Sequence, residues 1–166
     1  MASRPVTVTG LEGRRSLLAG VLVGVGVMAA VDEIVFHQIL GWHHFYDRAT
    51  PEVALLTDGL LHAAELVIVV AGFFMLVDLG RRGVLARRSA WAGSVLGAGA
   101  FQLFDGLVDH KLLRVHQVRY GVDLLPYDLA WNGAALVLLA AGGFLAWRSR
   151  GERARSHPAD PRVTRD

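Results

Sequence analysis

Four long apolar stretches, at residues 17–40, 58–79, 90–113 and 125–147, alternate with short polar connections. At 1.5 Å per residue each is long enough to cross a hydrocarbon core of about 30 Å. The pattern predicts an all-α chain, an integral membrane four-helix bundle spanning residues 17–147. The first stretch is longer than a signal-peptide core, no small-residue cleavage site follows it, and it contains Asp32, Glu33 and His37, so it reads as a retained helix. Gly20 and Gly24 form a small-xxx-small face suited to close helix packing. Trp42, Phe45 and Tyr46 suit a membrane boundary. Residues 1–16 form a polar tail, and residues 148–166, with Pro158 and Pro161, form a charged tail expected to be disordered.

Composition agrees with a membrane protein: 53% of residues are hydrophobic and the mean hydropathy is +0.39. With no cysteine, disulfides and thiolate metal sites are excluded. The net charge of +2 says little, but its distribution sets an orientation. The two tails and the connection at residues 80–89 hold 13 of the 17 Lys and Arg, leaving Arg48, Lys111, Arg114 and Arg119 on the other side. The positive-inside rule then places both termini in the cytoplasm of a bacterial plasma membrane. Because the Arg residues lie almost entirely in tails and one loop, without interleaved aromatics, no nucleic-acid partner is expected; membrane lipid is the expected surrounding.

Ionisable residues interrupt the apolar pattern twice, in the same way. Asp32-x4-His37-x5-His43 is repeated 73 positions later as Asp105-x4-His110-x5-His116, at the same point of a second apolar stretch. An internal duplication explains this better than chance, giving two parallel helical hairpins. Charged groups within membrane helices face the protein interior and have a partner or a function. At 100° per residue, Glu33 and His37 share a face, as do Asp58 and His62 with Glu65, Asp105 and Asp109, and Asp128 and Asn132. Asp32 and His37 point about 140° apart, which keeps them from one ion on a regular α-helix. Six of the seven histidines lie on the outer side.

Imidazoles and carboxylates together point to a transition metal held in the outer half of the bundle. His37, His62 and His110 are the candidate nitrogen ligands, and Asp32, Asp58, Asp105 and Asp128 supply oxygen or orient them. His43, His44 and His116, beyond the helix ends, suit capture or entry. Such a set favours Zn, Fe, Mn or Cu(II). Haem between His37 and His110 ranks lower because several carboxylates lie nearby. Asp109, Lys111, Arg114 and Arg119 read as a solvated face, and the aromatic residues at helix ends as interface anchors. The alternatives to metal handling are a metal-dependent hydrolase or oxidoreductase acting on a lipid or quinone, with Asp32 or Asp105 as base, and, third, ion transport. A hydrogen-bonded device that fixes helix register would need no metal.

The two motifs, Asp32-x4-His37-Gln38-Ile39-Leu40-x-Trp42-His43-His44 and Asp105-Gly106-Leu107-Val108-Asp109-His110-x-Leu112-Leu113-x-x-His116, resemble a family of predicted bacterial membrane proteins catalogued as a domain of unknown function. The resemblance covers about residues 14–148 and implies a four-helix fold with no assigned reaction. The family pattern often has Gly at Glu33, Glu at Asp105, and paired histidines at positions 110–111 and 116–117. The resemblance therefore favours Asp32, His37, His43, His44, His62, Asp105, His110, His116 and Asp128 as shared site residues. It also implies a partner among respiratory-oxidase assembly or metal-handling membrane proteins. Glycine-rich faces permit a homo-oligomer.

Overall fold

A computed structural model describes residues 10–155, which form four helices and, among the described residues, no strand. Helix α1 (Gly10–Asp32) runs on without a break as a π-helical segment, Glu33–Ile39; α2 is Pro51–Arg81. Helix α3 (Arg87–Phe104) likewise continues as a π-helical segment, Asp105–Leu112, and α4 is Leu124–Arg155. The helices extend beyond the apolar stretches for local reasons. Pro51 and Glu52 open α2, a proline tolerated where no N–H is needed and an acid suited to the helix N-terminus. Helix α4 continues to Arg155 through a run with four Arg and no proline, so part of the tail expected to be disordered is helical. The rest of both tails, residues 1–9 and 156–166, lies outside the described residues.

Helices α1 and α3 form the central pair; α2 packs on α1, and α4 on α3. Of the most apolar window of each span, 39% is buried in α1 but only 11% in α2 and 17% in α4. The two outer helices present Leu55, Leu66, Val67, Phe74, Leu129 and Val137 outward, as lipid contact requires. Three spans are apolar enough to cross a membrane: Gly10–Ile39, Pro51–Arg81 and Leu124–Arg150. Helix α3 is not, because its core positions are Ser89, Ala90, Ala92, Gly93, Gly97, Gly99 and Gln102 rather than large aliphatics.

Those small residues let backbone meet backbone. A Cβ on Gly20 or Gly24 would lie 2.0 Å from the Ala90 or Ser94 carbonyl oxygen, and one on Gly93 or Gly97 would lie 2.1 or 2.2 Å from that of Leu17 or Val21. The pairs 17 and 90, 20 and 93, 21 and 94, and 24 and 97 all differ by 73, the spacing of the polar motifs. The seam is built from glycine because no side chain fits it. Arg14, Arg15, Arg148 and Arg150 line cavities at one end of the helices, where α2 ends and α3 begins. The connections at residues 40–50 and 113–123 meet at the other end, where Asp47 N–H donates to the Val115 carbonyl at 3.1 Å.

Candidate metal centre

The π-helical segments set the geometry. Leu40 N–H donates to Val35 O at 2.9 Å and Leu113 N–H to Val108 O at 2.7 Å, the wider i→i+5 ladder in place of the α-helical one. That ladder places residues five apart nearly one above the other. His37 Nε2 therefore lies 3.6 Å from Asp32 Oδ2, and His110 Nε2 lies 3.2 Å from Asp105 Oδ2. This overturns the expectation that Asp32 and His37 diverge, which holds only for α-helical periodicity. Each segment is followed by a reversal through positive φ, at Gly41 (57°) and Arg114 (52°). The reversal folds His43 and His116 back into the protein, so they are not at the surface: they are 5% and 1% exposed.

Four buried imidazoles meet there. The ring centroids of His37 and His43 are 4.5 Å apart and those of His110 and His116 are 4.7 Å apart. His43 and His116 stack in the middle at 4.6 Å, with planes 3° from parallel. His43 Nδ1–H donates to the Val118 carbonyl at 2.8 Å and His116 Nδ1–H to the Phe45 carbonyl at 2.9 Å. Residues 45 and 118 are again 73 apart, so each connection orients the histidine of the other. A carbonyl only accepts, which assigns a proton to Nδ1 of each ring. The Nε2 atoms of His37, His43, His110 and His116, with Asp32 Oδ1 and Asp105 Oδ2, are buried without a hydrogen-bond partner. Burial, reinforced by the neighbouring His116 and His37 rings, pushes the His43 pKa down to about 2, so its ring is neutral. On His116 burial acts the same way, but Asp105, with Oδ1 3.2 Å from Nε2, outweighs it and raises the pKa.

A carboxylate-rich flank borders His37. Its Nδ1 lies 2.7 Å from Glu33 Oε2 and 3.2 Å from Asp58 Oδ1. Asp58 also accepts from His44 Nδ1 at 2.6 Å and from Phe45 N–H at 2.7 Å. Asp58 thus joins His37 and His44 across the fold instead of His62 along its own helix. His62, its side chain 57% exposed, pairs with Glu65 at 2.6 Å and stands apart from the imidazoles. Asp128 pairs with Lys111. Glu33 and Glu65, left off the candidate ligands, are 2% and 3% exposed; the i,i+4 spacing of Glu33 to His37 was the available signal. Asp109 is buried, not solvated, and Trp131 is a buried residue beside His110, 6.2 Å between centroids. Arg119 lies over the Trp42 ring and donates to the Tyr127 hydroxyl at 2.7 Å.

Three groups bring donor atoms within 4.8 Å of one another: His43 with His110 and His116, Asp32 with His37 and His43, and Glu33 with His37 and Asp58. Imidazole nitrogens among carboxylate oxygens form a donor set for Zn, Fe, Mn or Cu(II). The carbonyls behind Nδ1 of His43 and His116 are the outer partners that metal-bound histidines use to hold orientation. Rings packed 4.5–4.7 Å apart leave no flat apolar slot between them for a haem. Residues 19–149 match the family model described as Predicted membrane protein (DUF2243). No curated protein and no solved structure matches the chain significantly.

Proposed function

From a chain that belongs to the DUF2243 family of predicted membrane proteins, we propose a protein that binds a transition metal between two parallel hairpins and handles it near the outer face of a bacterial plasma membrane. The observation that carries this reading is the meeting of two buried donor groups that share His43, one with His110 and His116 and the other with Asp32 and His37, each with its donor atoms within 4.8 Å of one another. Buried polar atoms normally find partners, and here two of the imidazoles are held by carbonyls so that their free nitrogens face inward. Asp32, His37, His43, Asp105, His110 and His116 are the ligand candidates, drawn equally from the two halves. Both termini face the cytoplasm in this reading, on the strength of the Arg-rich end.

Burial of all four rings, at 5% exposure or less, favours a closed binding site over an enzyme acting on lipid or quinone, which needs an open coordination position. His44, its side chain 43% exposed and bonded to Asp58, supplies the link between this site and the surface. Elemental analysis with an optical spectrum on protein purified in mild detergent tests the reading. About one equivalent or more of Zn, Fe, Mn or Cu, lost in a His37→Ala, His110→Ala double variant, is expected. A Soret band would replace the reading with haem, and absence of metal after reconstitution would end it.

A further inference from the structure

We propose that Glu33, His37 Nδ1 and Asp58 hold a second metal ion, making the centre dinuclear with the His37 ring between the two ions. This rests on the metal reading above and adds a site to it. Its first support is local stoichiometry of protons. One ring N–H has a single proton to give, yet Nδ1 faces Glu33 Oε2 at 2.7 Å and Asp58 Oδ1 at 3.2 Å. Glu33 Oε1 already accepts from Gln38 Nε2 at 2.8 Å, while Oε2 is buried without a hydrogen-bond partner. Asp58 is held in place by His44 and the Phe45 amide and keeps lone pairs on Oδ1 toward Nδ1.

The second support is charge. Asp32, Glu33, Asp58, Glu65, Asp105 and Asp109 are all buried, and the buried groups among the described residues include no Lys or Arg. A single divalent cation between the halves balances only two carboxylates, and uncompensated buried charge is strongly unfavourable.

The third support is the difference between the halves. Shifted by 73, Glu33 corresponds to Gly106 and Gln38 to Lys111; shifted by 70 along the outer helices, Asp58 corresponds to Asp128. In the second half the Lys111 ammonium pairs with Asp128. The volume beside Gly106 is filled, since an added Cβ would lie 2.5 Å from Asn132 Oδ1 and 2.8 Å from Trp131 Cδ1. The first half has a second carboxylate at Glu33 and a neutral Gln38 where its counterpart carries the ammonium. A metal ion takes the part of that ammonium. Carboxylate oxygens with one imidazole suit Mn, Fe or Zn. With an ion on each nitrogen His37 is an imidazolate, and its ring proton is released to solvent as the ions load.

The test uses the full chain in mild detergent, stripped with EDTA, reloaded with Zn(II), desalted and analysed for bound zinc. Two zinc ions per chain are expected, falling to one in Glu33→Gln and, independently, in Gln38→Lys, which restores the ammonium at an exposed position. His43→Ala with His116→Ala removes the other ion. One zinc in the parent chain, unchanged in Glu33→Gln and Gln38→Lys, overturns the second site and leaves the first. Two zinc ions retained in both variants overturns the assignment to Glu33. No zinc at all overturns the second site, while the first reading falls only if Fe, Mn and Cu are absent as well.

Discussion

The two ends of the central helix pair are held together by opposite means. Toward the Arg-rich end α1 and α3 touch through backbone, with Gly20, Gly24, Gly93 and Gly97 each facing a carbonyl oxygen at a distance no side chain tolerates. At the far end both helices widen into π-helical turns, and the space between is occupied by imidazoles and carboxylates. The dry end is complete by itself, since its atoms need only proximity. The polar end keeps buried nitrogen and oxygen atoms without a hydrogen-bond partner, which is what the proposed metal would satisfy. The difference teaches a division of labour: the glycine seam sets the distance between the helices, and that distance brings the imidazoles and carboxylates together.

Breaking the seam has the largest effect. Gly24→Leu drives side-chain atoms into the Ser94 carbonyl, and neither backbone can yield without parting the helices. A loss of more than about 3 kcal/mol is expected, seen as aggregation in detergent with or without metal. Gly133→Ala, where nothing lies within 4 Å, is the control and melts no lower than the parent. Next comes removal of metal. Saturation at a hundred times the dissociation constant contributes about 2.7 kcal/mol, so chelation lowers the melting temperature by several degrees, and a melt unchanged by chelator would remove the distinction between the ends. The smallest effect is at His62, half-exposed and paired only with Glu65. His62→Ala is expected to leave metal content unchanged and stability within about 0.5 kcal/mol, as elemental analysis and thermal melts would register.

Much of this comparison is visible in the chain itself. Apolar stretches show four helices, Gly20 and Gly24 mark the seam, and the twin Asp-x4-His-x5-His motif marks the polar end. Hidden from that reading is the contact of Asp32 with His37, because it depends on an i→i+5 ladder, and the hydrophobic pattern of Glu33–Ile39 is compatible with an ordinary helix. The inward fold of His43 has a cue in Gly41, a residue at ease with positive φ; that of His116 has none, since Arg114 takes the same conformation. Asp58 shows the limit of helical spacing, which pairs it with His62 while the fold gives it His37 and His44. Helix ends were the least legible, as α4 shows by continuing to Arg155.

The crossed bonds of the two connections, His43 to Val118 and His116 to Phe45, have a consequence for biosynthesis. A membrane protein enters the bilayer as it emerges from the ribosome, first hairpin first. Until residue 118 has been made, His43 has no carbonyl to fix its ring, and until residue 116 has been made, Phe45 has no histidine to hold. The orientation of both rings is therefore a property of the finished chain and of neither hairpin alone.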